Sequence, residues 1–309
     1  MQKENKIIAV VGPTASGKSE LAVRLARRFH GEIVSCDSRQ IYRGMDIGTG
    51  KVEGKWKKIS KTRTYFYKNI PHYCIDFLSP KKQFSAGLFQ TVAQKAINDI
   101  LARGKLPILC GGTGHWIDAV VLNQPIPEVK PNPALRKKLE RYSAEKLFLR
   151  LQKLDPERTK NIDRHNKRRL IRALEIVLAT GRPVPALGPE RPLYNCFWLG
   201  PAWPQEALYK RIDQRLKERL EQGMVKEISS LHKKGLTWKH LDDFGLEYRF
   251  IGRYLQKKLD YGDAVKQLSF AIKHYAKRQM TWWKRNKKIH WIKYNHKSAE
   301  KLVENFIKN

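Results

Sequence analysis

Gly12-Pro13-Thr14-Ala15-Ser16-Gly17-Lys18-Ser19 follows a short apolar run, Ile7 to Val11, and precedes a segment in which Leu21, Ala22, Leu25, Ala26 and Phe29 share one helical face. The eight residues match GxxxxGK[ST], a loop between strand and helix that turns backbone N–H groups toward an anion at the helix N-terminus. In such a loop Gly12 to Ser19 bind a di- or triphosphate, Lys18 reaches the outer phosphate and the Ser19 hydroxyl ligates Mg²⁺. Further β-rich runs at Glu32 to Asp37, His72 to Asp76 and Leu106 to Cys110 are expected to be joined to the first by helical segments. Strands alternating with helices predict an α/β protein with a P-loop NTPase-like parallel sheet core.

Outward from this core the pattern changes. Pro125, Pro127, Pro131 and Pro133 mark a linker, Ala134 to Thr180 reads as helix without strand, and Arg182-Pro183-Val184-Pro185 to Pro192 is a second proline-rich junction. A strand at Asn195 to Leu199 follows, and another at Ile289 to Ile292. The expected organisation is a discontinuous catalytic core, residues 1–123 and 193–309, interrupted by an all-helical insertion domain, residues 124–192. Leu208, Ile212, Leu216 and Leu220 recur every four residues and read as core packing.

The 309 residues carry 62 Lys+Arg against 29 Asp+Glu, a net charge of +33, which requires an anionic partner and favours nucleic acid. Residues 1–130 hold 21 basic and 10 acidic side chains and residues 131–309 hold 41 and 19, so the excess is spread over the surface and not confined to a tail. With 41% hydrophobic residues and 8 Trp, the chain is a folded basic protein and not a disordered polycation. No apolar run reaches the ~20 residues of a membrane span and the N-terminus fits no signal or transit peptide, so a cytoplasmic protein is expected. Cys36, Cys74, Cys110 and Cys196 have neither CxxC pairing nor matching histidines, and are expected to be buried, reduced and metal-free.

The phosphate loop alone would suit a kinase or an ATPase, which add a strand ending in an Asp for Mg²⁺. Here the candidate strand Leu106 to Cys110 runs into Gly111-Gly112-Thr113-Gly114, with no acid. The acids at strand ends are Asp37 and Asp76, at the carboxyl edge where α/β sheets hold ligands. Asp37 is placed to face a substrate beside the phosphates, while Asp76 is as readily a turn residue as a Mg²⁺ contact. A base next to a bound diphosphate suggests transfer of the group the diphosphate carries, with diphosphate leaving.

Several stretches together sharpen this: GPTASGKS (Gly12 to Ser19), DSRQIYRGMDIGTGK (Asp37 to Lys51), PHYCIDFLSP (Pro71 to Pro80), FSAGLF (Phe84 to Phe89), GGTG (Gly111 to Gly114), RRLIRALEI (Arg168 to Ile176), GLEYR (Gly245 to Arg249) and AKRQMTWWKR (Ala276 to Arg285). In these the chain resembles the bacterial tRNA dimethylallyltransferases, the isopentenyl-tRNA transferase family, over nearly its whole length. The resemblance implies transfer of a dimethylallyl group from dimethylallyl diphosphate to N6 of adenine 37, beside the anticodon, with Mg²⁺ as cofactor and the tRNA anticodon stem-loop as partner. It implies Asp37, Thr113 and Lys18 as catalytic residues, with Asp37 as base or acceptor at the adenine amine and Thr113 in the reaction channel. It further implies tRNA contacts at Asp37, Ser38, Arg39, Gln40, Thr113, Arg136, Arg168, Arg169, Leu170, Ile171, Arg172, Arg249 and Arg278. A monomer is expected.

Two enzyme readings compete with this one: an adenylate isopentenyltransferase acting on free AMP, ADP or ATP, which has no need of so basic a surface, and an RNA-dependent P-loop ATPase. The family pattern is departed from at His115-Trp116 after GGTG, at Leu246-Glu247 within GLEYR, and between Lys51 and Pro71. That last stretch, basic and aromatic (Trp56, Lys57, Lys58, Lys61, Arg63, Tyr65, Tyr67, Lys68), reads equally as a tRNA-contacting loop or an ordinary solvated hairpin. In Tyr275 to Lys288 the tryptophans are expected in the core and some of the basic residues on RNA, and His165 and Asn166 are expected to be turn or cap residues.

Overall fold

A computed structural model describes residues 5–59, 62–185, 192–293 and 296–309. The chain divides into two compact units, Met1–Val121 with Leu193–Asn309, and Leu122–Pro192.

The first unit is built on one eight-stranded sheet in the order β3-β4-β5-β2-β6-β1-β7-β8. Its strands are β1 (Lys6–Val11), β2 (Gly31–Ser35), β3 (Lys55–Ile59), β4 (Thr62–Tyr67), β5 (Ile70–Tyr73), β6 (Leu106–Gly111), β7 (Asn195–Ala202) and β8 (Ile289–Lys293). Pairing is parallel from β5 to β8 and antiparallel for β3, β4 and β5. Strand β1 lies at the centre and is buried on both faces, which is why it reads as an unbroken apolar run. Helices α1 (Lys18–Arg28), α2 (Ala86–Ala102) and α3 (Gly114–Val121) accompany the first strands. Leu21, Leu25 and Ala26 of α1 pack on one sheet face with Ile8 and Val10, while Phe89, Ala93 and Ile97 of α2 pack on the other with Ala9 and Val11.

One connection differs from the sequence expectation. Among the described residues no helix joins β2 to β5; residues 36–54 form a glycine-punctuated loop that continues into the hairpin β3–β4 and so extends the sheet. The loop is held by a buried cation and not by a helical core: the Lys51 ammonium donates to the Tyr42 carbonyl and to the Asp46 and Asp76 carboxylates, each at 2.6 Å.

The second unit is helical, as its sequence pattern implies: α4 (Pro133–Leu139), α5 (Ala144–Leu154), α6 (Pro156–Thr159) and α7 (Lys167–Thr180). Asn132, Ser143, Asp155 and Asn166 cap these helices by accepting from backbone N–H groups of the first turn. Leu139, Leu147, Leu151, Leu170, Ile171 and Leu174 form their common core. Residues 186–191 of the second proline-rich junction lie outside the described residues.

The chain then returns to the first unit with β7, α8 (Gln205–Glu221), α9 (Met224–Lys233), α10 (Trp238–Phe244), α11 (Leu246–Leu255), α12 (Tyr261–Trp283), β8 and α13 (His296–Lys308). Leu208, Ile212 and Leu216 of α8 are buried, as their spacing predicts.

Candidate active site

The phosphate loop leaves β1 and enters α1 with Gly17 as the N-cap residue at φ +88°. Gly12, at φ +146°, adopts a backbone that only glycine tolerates well, and a Cβ there would come 3.1 Å from the Ser16 hydroxyl. The Ser16 hydroxyl is buried without a hydrogen-bond partner among the described residues. Lys18 Nζ donates to the Pro13 carbonyl at 3.1 Å, folding its charge back over the loop. Burial lowers the Lys18 pKa; Cys110 and Asp37 act against that, and Arg215 adds to it. The Ser19 hydroxyl reaches the Cys110 thiol, whose pKa burial pushes up to about 11.

Helix α8 supplies the outer wall. Arg211 Nε donates to the Ala15 carbonyl at 2.9 Å, with its guanidinium 4.4 Å from the Trp203 ring centre, and the Trp203 indole donates to the Ser16 carbonyl at 2.9 Å. One turn on, Arg215 donates to the Gly50 carbonyl at 3.1 Å. Lys18, Ser19, Gly50, Lys51, Arg211 and Arg215 are among the residues that line a cavity of about 780 Å³. Burial lowers the Arg215 pKa, and the nearby Arg219 adds to the effect.

Beside the phosphate loop runs the carboxyl edge of β2 and β6. Cys36 N donates to the Cys110 carbonyl at 2.8 Å, and Thr113 N to the Cys36 carbonyl at 3.3 Å. Thr113 Oγ1 accepts from Ser38 N at 3.1 Å and lies 3.4 Å from the Ser38 hydroxyl. GGTG is glycine-rich because its backbone is crowded: a Cβ at Gly111 would strike the Cys36 carbonyl, at Gly112 the Gln279 amide and at Gly114 the Trp282 indole. Asp37 Oδ1 accepts from Arg39 N at 2.9 Å, whereas Oδ2 has no hydrogen-bond partner among the described residues. Gln40 donates to the Thr49 and Gly50 carbonyls, tying the Asp37 segment to the cavity wall.

Gln279 on α12 joins the phosphate loop to this edge. Its carbonyl accepts from Thr14 N and its amide donates to the Gly112 carbonyl, both at 2.9 Å. Behind the cavity, Glu227 of α9 accepts from Asp46 N, Ile47 N and Gly48 N at 2.7–2.9 Å and from the Tyr248 hydroxyl at 3.0 Å.

The structure thus gathers Gly12 to Ser19, Asp37 to Gln40 and Thr113 at one sheet edge. Asp76 is occupied elsewhere: Lys51 holds one oxygen and the Trp56 indole donates to the other at 2.9 Å, so it serves the loop. Arg249 is bonded to Asp242, and the Arg278 guanidinium lies 5.7 Å from the Tyr275 ring centre on the exposed side of α12. Trp283 is buried and Trp282 donates to Asp118, so both tryptophans serve packing.

In the second unit, Arg136 and Arg172 both grip the buried Glu175 carboxylate, at 2.7 and 2.6 Å. Arg169 is exposed, Arg168 lies beside it on α7, and Leu170 and Ile171 face the helical core. The tRNA expectation for Leu170 and Ile171 is therefore corrected to the helix that carries them, because side chains 0% and 6% exposed are packed and cannot present a contact.

Sequence reasoning overlooked Gln279, Arg211 and Arg215. Gln279 stands inside the quoted AKRQMTWWKR segment, and the four-residue spacing of Arg211 and Arg215 was the available signal on α8.

A parallel sheet with a phosphate loop, cations at its mouth and a half-open carboxylate on the same edge defines a P-loop-type enzyme that works on a phosphorylated substrate. The family model for IPP transferase matches residues 40–286. A tRNA dimethylallyltransferase 2 of Trichlorobacter lovleyi is 41% identical over 296 residues, covering 93% of this chain and 91% of the relative. The solved tRNA isopentenylpyrophosphate transferase of Bacillus halodurans superposes with a TM-score of 0.70 at 32% identity, over 99% of this chain and 96% of that one. A eukaryotic dimethylallyltransferase solved acting on tRNA gives a TM-score of 0.72 at 26% identity, over 90% of this chain and 69% of that one. The chain belongs to the IPP transferase family.

Proposed function

We propose that this protein transfers the dimethylallyl group of dimethylallyl diphosphate to the exocyclic N6 of adenine 37 in the tRNA anticodon loop, giving N6-isopentenyladenosine and diphosphate. The observation that carries the reading is Asp37: one carboxylate oxygen is fixed by Arg39 N and the other is open, on the edge that also holds the phosphate loop and Thr113. In the reaction the bond from the prenyl carbon to the diphosphate oxygen breaks as a bond to N6 forms, and N6 gives a proton to Asp37 Oδ2. A positioned base of this kind contributes about 10² to 10⁴ in rate. The loop amides, Lys18, Arg211 and Arg215 receive the charge that builds on the departing diphosphate. Thr113, fixed by Ser38 N, lines the path between the two substrates. The adenine must leave its stack to enter this edge.

Mg²⁺ fits the site as a companion of the diphosphate. The Ser19 hydroxyl is a hard oxygen at the cavity wall, while no cluster of three or more acidic, His or Cys side chains among the described residues could hold a metal alone. Ser19 would contribute one ligand, with phosphate oxygens and water completing the shell, and the ion would neutralise diphosphate charge.

Arg168, Arg169, Arg278 and other exposed cations suit the phosphates of the anticodon stem-loop. The reading carries with it a monomer acting in the cytoplasm; among the described residues no helix is long and apolar enough to cross a membrane. Against an ATPase, strand β6 ends in Cys110-Gly111 with no acid for a metal.

Incubation with labelled dimethylallyl diphosphate and unmodified tRNA tests the proposal. Label is expected in tRNA at adenine 37. Label in AMP or ADP in preference to tRNA, or ATP hydrolysis without prenyl transfer, overturns it.

A further inference from the structure

The hairpin β3–β4 carries a charge arrangement that folding alone does not call for. Residues 55–68 hold six basic side chains, Lys55, Lys57, Lys58, Lys61, Arg63 and Lys68, and no acid. Lys58 and Arg63 stand directly opposite each other in the antiparallel register, both exposed, and neither has an ion-pair partner among the described residues. Like charges directly opposed across two strands destabilise a hairpin. The hairpin is otherwise well anchored: the Trp56 indole is bonded to Asp76, the Tyr65 hydroxyl donates to the Val52 carbonyl at 2.7 Å, and the Arg63 guanidinium lies 5.6 Å from the Trp56 ring centre.

Register fixes where these charges lie. Ile33 of β2 pairs His72 of β5, His72 pairs Tyr65 of β4, and Tyr65 pairs Trp56 of β3. Extended by two residues toward the carboxyl edge, the same register brings Ser35 level with Arg63 and its partner Lys58. Asp37 lies two residues beyond Ser35. The cationic end of the hairpin therefore lies toward the same sheet edge as the open carboxylate, two strand spacings or about 10 Å to its side at Arg63 and three or about 14 Å at Lys58. Lysines on an edge strand are a common guard against sheet-to-sheet aggregation. That role accounts for charge on β3, the edge strand, but does not call for an arginine set directly opposite it on β4, the next strand in.

We infer that the β3–β4 hairpin is a second RNA grip: Lys58 and Arg63, with Lys57 beside them, take phosphates of the RNA whose base enters at Asp37. Bound phosphate relieves the like-charge opposition, so the hairpin is most stable when RNA is present. This inference rests on RNA being the acceptor, as proposed above.

The test is tRNA affinity at several salt concentrations for the full-length protein and for Lys58→Glu/Arg63→Glu and Lys58→Gln/Arg63→Gln, alongside binding of inorganic diphosphate. Loss of two phosphate contacts is expected to reduce the slope of log affinity against log salt by about 2 and to weaken binding at least about tenfold near 0.1 M salt. Diphosphate affinity is expected to be unchanged. The single variant Lys58→Glu, which turns the opposition into attraction, is expected to raise the melting temperature while still weakening tRNA. Unchanged tRNA affinity and slope in both double variants overturns the inference, including the case in which only solubility changes and the hairpin is an edge guard. Equal losses for anionic vesicles and for tRNA also overturn it in favour of a membrane surface. Wild-type protein that binds tRNA but transfers no prenyl group contradicts the proposed function alone, and the slopes still decide the hairpin.

Discussion

Arginines of the two units make opposite use of the same guanidinium. On α8, Arg211 and Arg215 donate to the Ala15 and Gly50 carbonyls, neutral partners that orient a cation without cancelling it. On α4 and α7, Arg136 and Arg172 converge on the Glu175 carboxylate, which also accepts from Asn132 N at 2.7 Å. The first pair keeps its charge for an anionic ligand; the second spends much of it on holding helices together. Motif resemblance pointed to the second pair as RNA contacts and was silent on the first. Partner chemistry, and not residue type, separates a binding cation from a structural one.

The largest expected effect concerns a carboxylate that, unlike Glu175, is left half open. Asp37→Asn keeps an oxygen to accept from Arg39 N and removes the base, so turnover is expected to fall by about 10² to 10⁴ while tRNA affinity is retained. Single-turnover transfer together with tRNA binding checks this. Turnover within a few-fold of wild type would mean that Asp37 only orients the acceptor.

Glu175 is next. Burial alone would raise its pKa, but hydrogen bonds from Arg136, Asn132 N and Arg172 outweigh it and hold the carboxyl at about 2. Because the folded value lies below the ordinary 4.5, the stability it supplies is complete above about pH 4.5 and is lost as pH falls toward 2. Glu175→Gln leaves two arginines with a neutral partner and is expected to cost the helical unit about 3 kcal/mol, less than a fully buried pair because both arginines are about one-third exposed. Denaturant unfolding at pH 7 and pH 3 reads it: the gap between wild type and variant should narrow in acid. Weakened tRNA binding without lost stability would return Arg136 and Arg172 to the RNA-contacting set.

Arg211→Gln breaks the comparison from the other side. A hydrogen bond to a charged group is worth about 1.5–3 kcal/mol, so diphosphate affinity should drop roughly ten- to a hundredfold with little change in melting temperature, since no carboxylate is orphaned. Calorimetric titration with inorganic diphosphate measures it. A large stability loss would place Arg211 with the structural arginines.

How much of this could be read beforehand follows from chain distance. The phosphate loop and Asp37 were legible because each is a local pattern: a glycine-framed turn between strand and helix, and an acid just past a strand end. The Gln279 bridge to Thr14 spans 265 residues and the Arg211 bond to Ala15 spans 196, so only the assembled sheet brings them together. An arginine pair spaced by four looks the same whether it faces water or a phosphate loop. Leu170 and Ile171 were misread for a related reason: a motif carried over as a block ignores the 3.6-residue period that turns Arg169 outward and Leu170 inward. The missing helix between β2 and β5 was hidden because a loop held by Lys51 and Glu227 leaves no periodic trace.

The smallest effect sharpens the contrast between carboxylates. Asp118 on α3 accepts from the Trp282 indole at 3.0 Å, and Arg285 lies 3.8 Å from the Trp282 ring centre. Burial raises the Asp118 pKa to about 6, with the Trp282 hydrogen bond and Arg285 only partly offsetting it. Its folded value exceeds the ordinary 3.8, so the sign is opposite to that of Glu175: ionisation above about pH 6 costs stability, and the cost is recovered as pH falls toward 4. Asp118→Asn keeps an acceptor for Trp282 and removes the ionisation, so it is expected to gain about 1 kcal/mol at pH 7 and nothing near pH 4. Melting temperatures at the two pH values decide it. A loss at pH 7 would show that the Arg285 attraction outweighs burial, making this acid an ion-pair partner of the same kind as Glu175.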